Sequence, residues 1–232
     1  MLCLNKNEEG QDMKKIKTIF IFLLIFFVSY LQVMASEDIK TGEPLIISDQ
    51  NVNTIENELK NLEDYPFAVL QVTKKDLIPK SLVKSLKEYI NKGGTLWFYD
   101  SRFADLFGMI NSPMEITNVE IKTIEAEYGS GKMTGTGIGA AALKGSPVTK
   151  GIRRLAVFII ATGKNKYSAV KDEGVIPLLR VPTQKSLVGA IKEIGKGKVV
   201  FKPLLWEKEY DGASFQRKLI RYSRNPKFKA DI

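Results

Sequence analysis

The 232-residue chain contains no histidine and a single cysteine, Cys3. Without an imidazole there is no ordinary general base near neutral pH and no Ser-His-Asp triad. Histidine-containing zinc sites are excluded, and one thiol cannot assemble a thiolate site. No G-x-S-x-G elbow occurs either. A lone cysteine leaves no internal disulfide, so the fold must rest on its core. Carboxylate, serine–lysine and oxygen-ligand metal chemistry remain open.

Unbroken apolar runs are scarce, and the longest sits at residues 19–28. Lys14, Lys15 and Lys17 precede it, and Val33-Met34-Ala35 follows it. Positive region, apolar core and small-residue site describe a secretory signal peptide, with Met13 as the expected start and cleavage expected after Ala35. The run is shorter than the ~20 residues of a membrane-spanning helix, so no stable span is expected after cleavage. No cysteine near residue 35 offers a lipid anchor. The expected product is exported, to the periplasm or beyond the cell, and its 197 residues suit one domain.

The whole chain carries +9. Its first 35 residues hold four lysines and three acids, leaving +8 on the remainder. That balance favours anionic partners. The lysines are scattered, however, and only the tail, Arg221 to Lys229, concentrates charge. An envelope protein or an anionic envelope polymer is the expected partner class, and nucleic acid is not expected.

Hydrophobic periodicity predicts strands at 44–48, 67–72 and 95–100, with helices at 51–62 and 79–91 between them. Asn53 and Glu56 have the spacing of a capping box, and Gly93-Gly94 provides a left-handed helix stop. Short connections between strand, helix and strand imply a parallel sheet. Residues 115–127 read as extended. The glycine-rich stretch 128–145 reads as a surface loop, since a phosphate-binding loop would need glycine where Ala126 stands and Ser or Thr where Met133 stands. Further strands are expected at 155–160, 175–179, 187–191 and 198–204, with a hairpin at Gly195-Lys196-Gly197. A helix at 211–222 closes the domain, ahead of a basic tail at 224–232.

Three segments carry a family likeness: LVKSLKEYINKGGTLWFYDSR at 82–102, SPVTKGIRRLAVFII at 146–160 and VGAIKEIGKGKVVFKPLLW at 188–206. Together they resemble the class I glutamine amidotransferase-like superfamily, in its uncharacterised exported bacterial branches, over roughly residues 44–223. The resemblance implies an α/β, flavodoxin-like layered fold with a mostly parallel sheet, a β-rich C-terminal half, and a final hairpin and helix. Active members use a cysteine on a strand-to-helix elbow with histidine and glutamate. After residue 35 this chain has neither cysteine nor histidine, so the resemblance implies fold without amidotransferase chemistry.

In open parallel sheets ligands bind beyond the carboxyl ends of the strands. The first strand end offers Asp49 and Gln50 after Ser48. The third offers Asp100, Ser101 and Arg102, with Asp105 one turn on. The last offers Trp206 and Glu207, with Tyr210 nearby. These residues are the candidate ligand site, although Asp100 or Ser101 would equally cap a helix over 102–109. No catalytic residue, metal ligand or cofactor is assigned. The expected function is a non-catalytic binding or scaffold domain of the cell envelope. The alternative is a carboxylate-based hydrolase acting on an envelope glycan through Asp49, Asp100 or Glu207.

Overall fold

A computed structural model describes residues 42–61, 64–125, 132–205 and 211–224. The expected signal segment, Trp206, Glu207 and the tail beyond Arg224 lie outside these residues. Twelve strands run in chain order: β1 Leu45–Ser48, β2 Ala68–Gln71, β3 Thr95–Phe98, β4 Met114–Glu115, β5 Lys122–Glu125, β6 Lys132–Ala142, β7 Arg154–Gly163, β8 Lys166–Tyr167, β9 Ile176–Arg180, β10 Leu187–Ile194, β11 Gly197–Phe201 and β12 Leu204–Leu205. Two α-helices are described, α1 Lys80–Asn91 and α2 Gly212–Ser223.

The strands pair in the order β1-β2-β3-β11-β10-β9-β6-β7-β8-β4, with β5 added to β6 and β12 to β7. Only β1–β2, β2–β3 and β3–β11 are parallel. From β11 onward every neighbour is antiparallel. This mixed, strand-dominated sheet overturns the expected flavodoxin-like layered fold with its mostly parallel sheet. The cause lies in the connections. Parallel neighbours need a crossover, and antiparallel ones need only a turn. Helices stand between β1 and β3, a short 3-10 helix follows β3, and the described residues from 108 to 205 contain no helix.

Where a crossover exists, the sequence pattern explains it. Helix α1 buries Leu82, Leu86, Tyr89 and Ile90, one face at helical spacing, each worth about 1.5–3 kcal/mol when taken from water. Gly93, at φ +118°, stops the helix. Its N–H donates to the Ile90 carbonyl at 2.9 Å, and that of Gly94 to the Tyr89 carbonyl at 3.0 Å. The helix expected at 51–62 shrinks to a 3-10 helix, Ile55–Lys60. Asn51 holds the chain back on β1 instead: its Oδ1 accepts from the Ser48 N–H at 2.8 Å, and its Nδ2 donates to the Ile46 carbonyl at 2.7 Å. The expected capping box is not formed. Glu56 accepts from the Ser81 hydroxyl at 2.6 Å and ties this segment to α1.

The glycine-rich stretch is strand, not loop, from Lys132 onward. A Cβ on Gly135 would lie 2.1 Å from the Ile159 carbonyl oxygen, so the close approach of β6 to β7 requires glycine there. Residues 126–131 lie outside the described residues.

Alternating side chains of the parallel strands fill two cores. Leu70, Leu96, Phe98, Val199 and Phe201 pack with α1, Phe103 and Phe107 on one face. Val69, Trp97, Tyr99 and Val200 pack with Val157 and Ile159 of β7 and with Phe215 and Leu219 of α2 on the other.

Candidate functional site

The four parallel strands all end on the same edge, and each ends with a polar residue on the second face. In β1 Ser48 follows Ile46 at a spacing of two, in β2 Gln71 follows Val69, and in β3 Tyr99 follows Trp97. Lys202 follows Val200 in the same way, its N–H continuing the ladder to the Phe98 carbonyl at 3.1 Å. Register sets Ser48 opposite Gln71, and the pairs Leu70–Phe98 and Phe98–Phe201 bring Tyr99 and Lys202 next in the row. A polar band therefore crosses one end of an otherwise apolar face.

Lys202 is 3% exposed. Its ammonium lies 5.0 Å from the centre of the Tyr99 ring and 5.3 Å from that of Trp97, and it donates to the Pro203 carbonyl at 3.5 Å. The aromatic faces offset part of the cost of burying the charge. Gln71 is 7% exposed, and neither its Oε1 nor its Nε2 has a hydrogen-bond partner among the described residues.

Gln71 lines a cavity of about 190 Å³. Thr73, Tyr99, Asp100, Arg102 and Phe103 continue its wall along the parallel edge. Lys132, Met133 and Thr134 from the start of β6, with Ile160 and Ala161 from β7, close the other side. The cavity thus lies where the parallel and antiparallel parts of the sheet face each other.

Asp100 anchors the wall. It is 6% exposed and takes Arg102 Nε at 2.7 Å, with Arg102 Nη2 beside it. Its Oδ1 accepts the Arg102 N–H at 2.9 Å and the Ser168 hydroxyl at 3.4 Å. Asp100 thus caps a 3-10 helix, Ser101–Phe107, which stands where a longer helix was expected. The hydrogen bond to Asp100 holds the Arg102 guanidinium above its usual pKa, while partial burial pulls it down. Arg102 Nη2 also reaches the Thr73 carbonyl at 3.4 Å.

The expected site residues divide. Asp100 and Arg102 line the cavity. Asp49 stands beside it, with its oxygens taken by the Thr73 N–H at 2.9 Å and the Thr73 hydroxyl at 2.6 Å. Gln50 sits exposed in the turn after β1. Ser101 turns away: its N–H donates to the Ser168 hydroxyl at 3.1 Å, and its own hydroxyl is buried without a partner among the described residues. Asp105 pairs with Lys75 at 2.7 Å on an adjacent shallow depression. Trp206 and Glu207 fall outside the described residues.

Gln71, Thr73, Tyr99, Thr134 and Lys202 are not among the residues expected from the sequence. For Gln71, Tyr99 and Lys202 the signal is the alternation itself, since the last second-face residue of each parallel strand is polar, whereas Thr73 follows β2 and Thr134 lies on the antiparallel β6. Asp100 is the one carboxylate among the described lining residues, and Arg102 neutralises it. The cavity is therefore equipped to hold a polar molecule by hydrogen bonds, and its described lining lacks the second carboxyl that acid–base glycoside hydrolysis requires.

No family model matches the chain, and no curated protein matches it. Among solved structures, a cytoplasmic protein, STM3548, from Salmonella typhimurium aligns at 13% identity and TM-score 0.41, covering 78% of this chain and 71% of that one. A β-galactosidase from Bacillus circulans sp. alkalophilus aligns at 10% identity and TM-score 0.40, over 75% of this chain and 26% of that one. An exo-β-1,4-mannosidase, Op5Man5, from Opitutaceae bacterium strain TAV5 aligns at 12% identity and TM-score 0.32, over 69% and 24%. Similarity this low carries no argument about activity.

Proposed function

We propose that this chain is a non-catalytic binding domain exported to the cell envelope, and that the cavity at the carboxyl edge of β1–β3 holds a small polar ligand. Kinship with the glutamine amidotransferase-like superfamily, without its cysteine and histidine, belongs to the same proposal. One observation carries the reading. At the carboxyl edge of the parallel strands, where open α/β sheets bind ligands, Thr73, Tyr99, Asp100, Arg102 and Thr134 bring polar groups together around a cavity of about 190 Å³. The surroundings suit binding better than reaction, because the Asp100 carboxylate is already held by Arg102.

The test is thermal unfolding of the purified full-length chain against sugars, amino acids, nucleotides, carboxylates and divalent metals. A ligand at a hundred times its dissociation constant adds about 2.7 kcal/mol, a shift on the order of 5–10 °C for a domain of this size. One class is expected to raise the midpoint, and Ala161→Trp, which fills the cavity, is expected to abolish the shift. If no class moves the midpoint, the binding reading fails. Recovery of the protein in the cytosol after cell fractionation would sink the envelope assignment.

A further inference from the structure

Cations that are scattered in the sequence gather on a second surface, which shares no described lining residue with the cavity. Residues 143–154 hold four lysines and arginines, residues 212–224 hold four more, and neither segment holds an acid. The fold brings the two segments together. At the start of α2 the Arg153 N–H donates to Asp211 Oδ2 at 2.8 Å, and further along the helix the Lys218 ammonium donates to the Lys150 carbonyl. Lys144 and Lys150 line one shallow depression of about 320 Å³, so Lys218 stands at its border. We infer that this face binds a linear polymer carrying phosphate groups, with one phosphate seated between Lys144 and Lys150 and its neighbours along Lys218 and Arg217.

Charge carries the inference. Lys144, Lys150, Arg153 and Arg217 are exposed and Lys218 is half-buried, and none of the five pairs with an acid among the described residues. Elsewhere cations have such partners: Lys75 meets Asp105 at 2.7 Å, and Arg180 meets Asp172 at 2.5 Å. Glu193 meets α2 at the Tyr222 hydroxyl, one turn beyond Lys218, and leaves this group of cations unbalanced. Cations gathered in this way repel one another. A polyanion removes that repulsion and releases the small ions held by both partners.

Three features narrow the partner. Two lysines on one depression are bridged better by the outward-pointing oxygens of a tetrahedral phosphate than by the two coplanar oxygens of a carboxylate. A bilayer fits poorly, because the apolar face of α2 is taken up by the core: Phe215 and Leu219 are fully buried, and the helix has no such face left to insert. Nucleic acid fits poorly as well. The large apolar side chains exposed among the described residues are Leu77, Ile110 and Ile121, so the described part of this face offers no exposed aromatic ring on which a base could stack.

Equilibrium binding of end-labelled, long-chain inorganic polyphosphate to the full-length chain tests the inference. Binding is expected, and about four contacts imply a loss of affinity on the order of 50-fold between roughly 50 and 200 mM salt. The triple substitution Lys144→Gln, Lys150→Gln, Arg217→Gln is expected to weaken binding at least about tenfold with no change in the unfolding midpoint. Lys80→Gln, Lys84→Gln, Lys87→Gln, at exposed positions of α1, removes the same charge and is expected to bind as the wild type does. Equal weakening by both triples overturns the inference, since net charge alone then explains the binding. Equal affinity for polygalacturonate overturns the choice of phosphate, and tighter binding of single-stranded DNA overturns the choice of polymer. Retention on phosphatidylglycerol vesicles that the first triple abolishes, without polyphosphate binding, assigns the face to a membrane and overturns it too. So does silence from polyphosphate. The cavity reading stands or fails separately, by the thermal-unfolding test.

Discussion

Gln71 is a buried amide left without a hydrogen-bond partner among the described residues. Its neighbours in β2, Val69 and Leu70, are fully packed, and a leucine would continue that packing. Gln71→Leu is therefore expected to stabilise the unliganded protein by about 1–3 kcal/mol, since it removes an unsatisfied buried amide. The unfolding midpoint should rise by roughly 2–4 °C per kcal/mol, and a fall would show that the carboxamide has partners in the free protein. Tyr65 carries a separate, pH-dependent contribution. Its hydroxyl donates to Glu58 at 2.7 Å, and that bond, with desolvation and the charges of Glu58 and Asp64, raises its pKa from 10.0 to about 12. The folded state thus keeps the phenol proton more tightly than the unfolded state does. The bond's contribution is full below pH 10 and is lost as pH rises from 10 towards 12. Tyr65→Phe should flatten the decline of stability across that window, and because Tyr89 and Tyr222 are also raised, ultraviolet titration should show one late-ionising tyrosine fewer in Tyr65→Phe than in the wild type.

At the scale of elements, strands are easier to read from sequence than their directions. Helix α1 and strands β2 and β3 are legible because 3.6-residue and continuous apolar patterns report burial directly. The direction of β6, β7, β9 and β10 is not, because pairing sense follows from connections and partners far away in the chain. Strand β6 reads as a loop because Gly135, Gly137, Gly139 and Ala140 hold almost no hydrophobic signal, although the small size of Gly135 is what lets β7 approach. Two of these glycines separate packing from propensity. Gly135→Ala drives a methyl group into the Ile159 carbonyl and is expected to cost on the order of 1–3 kcal/mol or more. A Cβ added at Gly139 would meet nothing within 4 Å, so Gly139→Ala is expected to be neutral or stabilising by up to about 1 kcal/mol. Urea unfolding of both variants checks the contrast, and equal effects would refute the account of β6. Half of the cavity is legible for a related reason. Asp100 and Arg102 announce themselves as charges after a strand, whereas Gln71 and Tyr99 stand out only when the parallel strands are aligned side by side.

Across the whole molecule, β11 joins the two halves, parallel to β3 on one side and antiparallel to β10 on the other. A chain ending at Lys196 loses β11 and α2, leaving β3 and β10 with unpaired edges and opening both cores. Such a truncation is expected to aggregate or remain protease-sensitive throughout, even though it retains β1–β3 and most of the cavity lining. A soluble, protease-resistant fragment would show that the halves fold apart. The same strand sets the timing of folding. Phe98 must wait for Phe201, so the centre of the sheet cannot close until nearly all of the chain has been synthesised. Its long-range pairings also make closure slow. Until β11 arrives, the inner edge of β3 offers unpaired backbone groups, the kind of edge on which another chain can pair.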